Sequence, residues 1–450
     1  MSQVDPFSAA AAPADPRDTL LVVEPESSGV DLLPAATRLG LRVHVLDRRP
    51  LELAPAAVRE LVGRGRAGYT VVETRCTELV AAAAEQLASR TTVVAVVPGF
   101  EYAVPVAAAA AERLGLPGPR PAVAARLRDK GLMKDQLARG GVAVARGVPL
   151  TVGDVPEDTL LQAAAVVGFP AVVKPVDGSG SLGVRRIDSM AELRGHLERA
   201  AEEGVLDDMG QPVGGRLLLE SYVTGPEFSV EGWVTATGEV TVAAVTQKLL
   251  GPEPHFVEVG HIVDADLPQA DREALARTAE RAVRALGLTA GVFHLEARLS
   301  PRGPVVLEIA ARLGGDRIHR LVSAVHGRSL PEAAIRVLAG LPHAAVADAP
   351  SGRAAASVYF TAPAPGRIHD PEALYADLAR VIDAGAQCWE LTVDCAPGDL
   401  VTPATDFRQR FGHAVLVAAD RSALTAVLDE VNAALYRALD RVPAAAAVAA

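Results

Sequence analysis

Cysteine and aromatic residues are scarce in this 450-residue chain, and acidic residues outnumber basic ones. The three cysteines, Cys76, Cys388 and Cys395, are odd in number and match no zinc-site spacing, which favours reduced thiols in a cytoplasmic protein. The net charge of −11 argues against a non-specific nucleic-acid binder, because such a protein needs a basic surface. No run of about 18 apolar residues is present, so no membrane-spanning helix is expected.

The apolar content is high, at 50%, and consists mainly of Ala, Val and Leu. A chain of this length and composition predicts about two to four domains with sizeable cores. The N-terminal residues contain acids and prolines and lack the continuous apolar segment of a signal peptide. Residues 1–18 and 444–450 are therefore expected to be disordered tails.

Apolar runs alternate with helical patterns in the first quarter of the chain. The runs at Thr19–Glu24, Leu41–Asp47 and Thr91–Gly99 predict buried strands, and the helix VPVAAAAAERLGL is expected to end at Gly115. This alternation indicates a parallel, doubly wound, Rossmann-like domain. The first turn, EPESSGVD, lacks the pattern G-x-G-x-x-G, so the layer is interpreted as structural and not as an NAD site.

The middle of the chain is rich in strands and is typical of antiparallel sheets with helices on one side. One helix is predicted over Arg126–Val142, and a domain boundary is predicted where Pro, Ala and Gly accumulate near Leu338–Gly352. The fold class is therefore α/β and α+β, with several domains. The predicted limits are 19–125 for the N-terminal domain, 126–215 for a small subdomain, 216–345 for a large subdomain with the metal and substrate site, and 346–443 for a C-terminal α+β domain.

A glycine-rich loop follows a strand that ends in Lys174. Its sequence, DGSGSLG, contains three glycines, which let a ligand approach the backbone, and its amide groups can surround phosphate oxygens. A flexible loop without a ligand is the alternative. A protein kinase is excluded, because its lysine would follow the loop and because the motifs H-R-D and D-F-G are missing.

Two carboxylates are expected to face each other across a hairpin. Glu296 and Glu308 lie in apolar runs joined by the turn sequence SPRGP, Ser300–Pro304. Opposed carboxylates repel, and a divalent cation between them removes the conflict. A register shift or a bulge that turns one of the two towards solvent is the alternative. A nucleotide could contact Glu220, Glu227 and Lys130, although none of these residues alone is specific evidence of a nucleotide site.

The ordered segments RDKGLMK, FPAVVKPVDGSGSLGV, LLLESYVTGPEFSV and HLEARL…VLEIAAR resemble the ATP-grasp superfamily of carboxylate–amine ligases over about residues 19–340. The resemblance implies an ATP-grasp fold with an N-terminal Rossmann-like domain, a C-terminal lid domain, and ATP with Mg²⁺ or Mn²⁺. It also implies that Glu296 and Glu308 bind the metal. The residues that it implies for nucleotide binding are Lys130, Lys174, Gly178, Ser179, Gly180, Ser181, Leu182 and Gly183, together with Glu220, Ser221, Tyr222 and Val223 for adenine and Glu227 for the ribose.

The segment PHFVEVGHIV is similar to the substrate segment of the L-amino-acid ligase group, which forms dipeptides. That resemblance implies that Glu258 and His261 line the acceptor site and that Arg312 meets the acyl phosphate and the substrate carboxylate. For Glu258 and His261, an ordinary ion pair in a loop is the alternative. Lys248 is expected to add positive charge, and Asp316 is expected to face the side chain of the acyl donor. One departure is Ala310, which stands where the family has a metal-binding Asn and leaves a second metal in doubt.

The expected function is an ATP-dependent ligase that activates an amino acid carboxylate as an acyl phosphate and couples it to an amine, releasing ADP and phosphate. Specialised metabolism is the expected setting, and the resemblance implies a homodimer. No nucleic-acid or membrane partner is expected. The alternatives are a biotin-carboxylase-like carboxylase and a nucleotide-binding module without catalysis.

Overall fold

The computed structural model describes residues 18–153, 155–204, 215–263, 265–342 and 352–442. The two predicted tails lie almost entirely outside these ranges, and so do residues 343–351 of the predicted domain boundary. Within the described residues, no helix is both long and apolar enough to cross a membrane. The three cysteines are free thiols.

The N-terminal layer is a parallel sheet in the order β3-β2-β1-β4, as the alternation of strands and helices predicts. Its strands are β1 (Asp18–Val23), β2 (Arg42–Asp47), β3 (Ala67–Val71) and β4 (Thr92–Pro98). Its helices are α1 (Leu32–Arg38), α2 (Ala56–Gly63), α3 (Thr77–Ala88) and α4 (Val104–Arg113). Because the strands are parallel, the turns after β1, β2 and β4 meet at one edge of the sheet, where ligands of such layers bind.

Two helices, α5 (Pro121–Arg128) and α6 (Lys130–Arg139), connect this layer to the rest of the chain. The prediction of a single helix over Arg126–Val142 was wrong. Asp129 interrupts it with an extended backbone, and its carboxylate accepts a hydrogen bond from the Leu132 amide at 3.0 Å. An aspartate in this position caps a new helix and favours the break.

A small antiparallel sheet follows in the order β5-β8-β6-β7. Its strands are β5 (Gly147–Thr151), β6 (Ala171–Pro175), β7 (Arg185–Ile187) and β8 (Arg216–Ser221). Helices α7 (Glu157–Val167) and α8 (Met190–Glu203) follow β5 and β7 in the chain, and buried apolar residues of both helices share one core with the sheet. The glycine-rich loop lies between β6 and β7.

The largest sheet has eight strands in the order β13-β12-β9-β10-β11-β14-β18-β16. Its strands are β9 (Glu227–Val234), β10 (Val240–Leu250), β11 (Glu258–Val263), β12 (Gly291–Ser300), β13 (Gly303–Ala310), β14 (Ala354–Tyr359), β16 (Gln387–Val393) and β18 (Gly412–Ala418). All seven pairings are antiparallel, as predicted for the middle of the chain. The sheet continues across the predicted domain boundary, because β11 pairs with β14.

A three-stranded sheet and the remaining helices complete the fold. The strands are β15 (Gly366–Ile368), β17 (Asp399–Val401) and β19 (Leu439–Arg441). The helices are α9 (Gln269–Leu286), α10 (Ile318–His326), α11 (Leu330–Leu338), α12 (Pro371–Asp383) and α13 (Arg421–Ala438). Helix α9 buries Leu275, Ala279 and Val283, at four-residue steps, in one core with residues of β9, β12 and β13.

Asp31 joins the N-terminal layer to α10. Its carboxylate lies 2.9 Å from His319 Nε2 and accepts a hydrogen bond from Arg320 at 3.0 Å. Burial alone would raise the pKa of Asp31, but His319 and Arg320 outweigh it and lower that pKa to about 2. A lowered folded-state pKa contributes stability that is present above the unfolded value near 4 and is lost as the pH falls towards 2.

We therefore expect Asp31→Asn to reduce the free energy of unfolding at pH 7 by at most about 2 kcal/mol. The deficit should fall to about half at pH 3, because the wild type then loses the same contribution. Urea unfolding at both pH values measures this difference. Asp429→Asn, at an exposed position of α13, is the control and should change neither value. An Asp31→Asn deficit that is independent of pH would contradict the assignment.

Candidate active site

Strands β12 and β13 form the predicted hairpin, and Glu296 pairs directly with Glu308. The predicted pairing is therefore confirmed, although the register next to the turn differs by one residue, because Ser300 pairs with Gly303 and an irregularity between Glu296 and Ala297 shifts the register. The two side chains are 22% and 20% exposed, and both line a cavity between the small sheet and the large one. The hairpin thus brings two carboxylates to one wall of a cleft.

All four lysines of the chain lie at this cleft, two in its lining and two in contact with the acids that line it, although the chain has 44 Lys and Arg residues. They are only 4–7% exposed, and they are Lys130, Lys134, Lys174 and Lys248. Lysine is seldom buried without a charged partner. The burial of every lysine in one place therefore concentrates positive charge where a polyanion could bind.

Three of these lysines contact two of the predicted acids. Lys130 Nζ lies 3.2 Å from a Glu308 oxygen, and Glu220 lies 3.2 Å from Lys134 Nζ and 3.0 Å from Lys174 Nζ. Burial lowers the pKa of Lys134 to about 8, although Glu220 opposes the shift. Lys134 was missed from the sequence, and the scarcity of lysine is the signal that could have identified it. Two lysines thus occupy the Glu220 carboxylate. The predicted contact of Glu220–Val223 with adenine stays a prediction.

Lys248 connects three acids for which the sequence predicts different roles. Its Nζ lies 3.0 Å from Glu227, 2.8 Å from Glu258 and 2.7 Å from Glu296. Burial alone would lower the pKa of Lys248, but the three carboxylates raise it well above its ordinary value. The lysine therefore stays charged and holds the predicted ribose, acceptor and metal residues together.

His294 is a second buried cation that sequence analysis missed. Its Nδ1 lies 2.8 Å from Glu231 and its Nε2 3.1 Å from Glu296. Burial alone would lower the pKa of His294, but the two carboxylates raise it to about 10. In the hairpin His294 pairs with Ala310, the position where an Asn was expected. An imidazolium thus lies beside Glu296 near the place of the missing amide.

Contacts from other elements hold the glycine-rich loop over the cavity. Lys130 Nζ donates to the Gly178 carbonyl at 2.7 Å, and the Ser181 hydroxyl donates to the Phe256 carbonyl at 3.1 Å. Gly180 has φ +61°, and a Cβ there would lie 2.8 Å from the Phe407 ring. The loop therefore closes against both the large sheet and the C-terminal part of the chain.

Arg312 is held by an acid of the N-terminal layer. Glu101, which is buried just after β4, accepts hydrogen bonds from Arg312 and, at 2.7 Å, from Arg128. Burial alone would raise the pKa of Glu101, but Arg312 and Arg128 lower it to about 2. Glu101 and Arg128 were missed from the sequence. They fix the guanidinium of Arg312 at the border between the first cavity and a second one.

The second cavity has a volume of about 610 Å³ and lies against the edge of the N-terminal sheet. Glu258 and Asp316 also line this cavity, and behind them His261 Nε2 lies 3.2 Å from Glu258 and 3.0 Å from Asp316. Asp316 accepts a hydrogen bond from Arg410 at 3.0 Å. Burial alone would lower the pKa of His261, but Asp316 and Glu258 raise it. Asp316 thus uses its charge on His261 and Arg410, and its predicted role towards a donor side chain stays a prediction.

The predicted residues converge on the first cavity with few exceptions. Those that line it are Lys130, Lys174, Gly178, Ser179, Gly180, Ser181, Leu182, Glu220, Ser221, Val223, Glu227, Glu258, Glu296, Glu308 and Arg312. Lys248 and His261 lie behind this lining, and Gly183 faces another cavity.

The Tyr222 hydroxyl donates to Glu253 at 2.5 Å. Arg298, another residue missed from the sequence, binds Glu227 at 3.1 Å and the Val223 carbonyl at 2.8 Å.

Two family models match the chain. The ATP-grasp N-terminal domain matches residues 33–118, and the ATP-grasp domain matches residues 167–320. The chain is similar to carnosine synthase 1 of Gallus gallus, with 30% identity over 335 residues that cover 72% of the chain and 35% of the relative. It is also similar to the alanine–anticapsin ligase of Bacillus subtilis strain 168, with 26% identity over 272 residues, 57% of the chain and 55% of the relative. The chain spans less than two thirds of either relative.

Among solved structures, the fold is similar to that of an L-amino acid ligase from Bacillus licheniformis. The TM-score is 0.73, the identity is 21%, and the match covers 92% of this chain and 97% of the other. The likeness extends through the N-terminal layer, the cleft and the C-terminal strands, and it shows the fold.

Proposed function

Since the chain is an ATP-grasp protein, with an ATP-grasp N-terminal domain ahead of an ATP-grasp domain, we propose that it is an ADP-forming ligase that couples an amino acid carboxylate to an amine. The amine is expected to belong to a second amino acid. The observation that carries the proposal is the cleft in which four buried lysines accompany the Glu296–Glu308 pair beneath the glycine-rich loop.

The reaction begins with transfer of the terminal phosphoryl group of ATP to a carboxylate oxygen of the first substrate, and ADP leaves. The amine nitrogen of the second substrate then attacks the acyl carbon, and phosphate departs with the carboxylate oxygen that it received. Catalysis of phosphoryl transfer depends mainly on positioning and on neutralising charge. A cleft that concentrates lysines suits both requirements.

Nucleotide binding exchanges existing ion pairs for new ones. Lys130 and Lys174 now bind Glu308 and Glu220, and in the complex they turn to phosphate oxygens. The glycine-rich loop supplies amide donors, as its left-handed residues Gly180 and Ser181 suggest. Lys134 is buried behind Lys174 and keeps Glu220 neutralised when Lys174 changes partner.

Glu296 and Glu308 fit a magnesium ion, because they are opposed carboxylates on one cavity wall and Mg²⁺ prefers few protein oxygens completed by water and phosphate. When bound, Mg²⁺ neutralises phosphate charge during transfer. Ala310 provides no amide ligand, so we propose that these two acids hold a single ion. His294 adds a fixed positive charge beside Glu296.

Arg312 is proposed to stabilise the acyl phosphate with its planar guanidinium, which Glu101 orients. Glu258 lines both cavities and holds the incoming ammonium beside His261, and the departing phosphate takes up the proton that the nitrogen loses. The acyl phosphate must be protected from water, and the loop with Phe407 from the C-terminal part provides the cover.

The relatives support substrates of the amino acid class. The name of the Bacillus subtilis relative states that it joins alanine to anticapsin. For this chain the two substrates, a homodimeric state and a cytoplasmic location are predictions, as are the domain limits 126–215, 216–345 and 346–443.

Release of ADP and phosphate with paired amino acids tests the proposal. We expect stoichiometric ADP, phosphate and amide product with at least one pair, in a screen of all pairs of the common amino acids with mass detection. AMP as product would indicate adenylation and contradict the proposal. Release of ADP that depends on bicarbonate and not on an amine would favour a carboxylase, and no ADP with any pair would favour a module without catalysis.

A further inference from the structure

We propose that Arg48 and Ser28, at the edge of the N-terminal sheet, bind the free carboxylate of the amine-bearing substrate. This inference rests on the proposed ligase function and assigns a second binding position within the 610 Å³ cavity. Neither residue was among the sequence predictions. Both line the same cavity as Glu258 and Asp316, so cationic and anionic groups face one space.

Four guanidinium groups line this cavity, and three of them already bind a carboxylate. The three pairs are Arg49 with Asp47 at 2.6 Å, Arg410 with Asp316 at 3.0 Å, and Arg312 with Glu101. Arg48 differs, because it donates no hydrogen bond to any residue that the structure describes, and its Nε is buried without a partner. The side chain is 18% exposed. A guanidinium that is mostly removed from water and still has its donors available calls for a ligand.

The nearest acid, Glu24, neutralises Arg48 poorly. The two side chains are 3.6 Å apart, beyond hydrogen-bond distance, and the Glu24 carboxylate accepts its short hydrogen bond from Thr74. Burial also raises the pKa of Glu24, although Thr74, Arg75 and Arg48 oppose the shift. The positive charge of Arg48 is therefore directed to the cavity.

The Ser28 hydroxyl is a second unused donor on the same wall. Ser28 is 3% exposed, and its Oγ has no hydrogen-bond partner among the described residues. The turn that carries it is strained, since Glu24 and Ser27 adopt φ +49° and +47°. At Gly29 a Cβ would lie 1.7 Å from the Gly99 carbonyl oxygen, so the turn packs tightly on the end of β4. Backbone strain of this kind persists where the surroundings hold a site in place.

The chemistry of coupling identifies the group that these donors meet. The carboxylate of the first amino acid becomes the amide carbonyl, whereas the amine-bearing amino acid keeps its own carboxylate throughout. A guanidinium fork with a neighbouring hydroxyl matches a carboxylate. With its ammonium towards Glu258 and its carboxylate towards Arg48, this substrate occupies the one cavity that both residues line.

Calorimetry on the full chain tests binding without turnover. Each of the twenty L-amino acids would be titrated in the presence of ADP and Mg²⁺, and the carboxamide of each amino acid that binds would follow. For at least one amino acid we expect the wild type to bind the carboxamide about 30-fold more weakly than the free acid. Arg48→Met should bind the free acid about 30-fold more weakly than the wild type does. In that variant the carboxamide should bind no more weakly than the free acid. Arg48→Lys should recover part of the loss, and Ser28→Ala should weaken binding less. Arg42→Met, an exposed arginine of β2, is the matched control and should bind as the wild type does.

Steady-state kinetics with a productive pair gives the second test, because the carboxamide of the amine-bearing substrate still has a reactive amine. Arg48→Met should raise KM for that substrate about 30-fold and leave KM for the acyl donor unchanged. Equal losses for the free acid and its carboxamide would overturn the proposal, as would an effect on the donor alone. Binding of inorganic phosphate that depends on Arg48, with amino acid binding unchanged, would assign the position to phosphate instead.

Discussion

Replacement of Glu308 by Gln should lower kcat for ADP formation roughly 10³-fold, which corresponds to about 4 kcal/mol of transition-state stabilisation. The change removes one of the two opposed carboxylates of the hairpin, on which metal binding in the proposed reaction depends. Gln has nearly the same shape, and its amide oxygen can still accept a hydrogen bond from Lys130, which now lies 3.2 Å away. The free energy of unfolding should therefore change by no more than about 1 kcal/mol.

Initial rates of ADP release and urea unfolding, measured on the same preparations, separate these two effects. Glu239→Gln is the matched control, because this acid follows β9 on the same sheet but is exposed at a turn. Glu239→Gln should leave both kcat and the free energy of unfolding unchanged. A Glu308→Gln protein with near wild-type kcat would refute the metal assignment.

Replacement of Lys248 by Met should reduce the free energy of unfolding by about 3–5 kcal/mol. The ammonium group lies within 3.0 Å of three carboxylates, and the side chain is only 1% exposed. Without it, Glu227, Glu258 and Glu296 would be left near one another without a shared counterion. Removing one partner of a buried ionic cluster costs more than the cluster contributes as a whole.

The double variant Lys248→Met/Glu258→Gln gives the decisive comparison. It removes one of the three crowded charges and should recover part of the stability, although not the activity. The deficit of the single variant should also shrink as the pH falls towards about 5, because three neighbouring carboxyls that have lost the cation they share have raised pKa values and take up protons. An unfolding free energy equal to that of the wild type at pH 7 would show that Lys248 does not hold the three acids together.

Local patterns in the sequence predicted the parts of the site that lie close together along the chain. The turn signal SPRGP predicted the hairpin that brings Glu296 to Glu308, but the exact pairing also depends on the register shift between Glu296 and Ala297, which the sequence did not reveal. The strand before DGSGSLG and the parallel N-terminal sheet follow from short apolar runs in the same way. A few neighbouring residues are enough to specify such features.

Contacts between distant segments could not be predicted in this way. Glu101 meets Arg312 across 211 residues, and His294 meets Glu231 across 63, so no spacing rule connects them. The prediction of a single long helix failed at Asp129, because the capping interaction of this residue outweighs the helical periodicity of the sequence. Lys134 is the exception, since the presence of only four lysines in 450 residues is visible in the sequence alone.

Oxygen-isotope transfer tests the central claim most directly. A productive pair would be supplied with an acyl donor that carries ¹⁸O in its carboxylate, and the released phosphate would be analysed by mass. An acyl phosphate intermediate predicts one ¹⁸O atom in the phosphate for each amide formed, with ADP as the other product. Unlabelled phosphate, or AMP that carries the label, would contradict the account of this cleft as the site of an ADP-forming ligase.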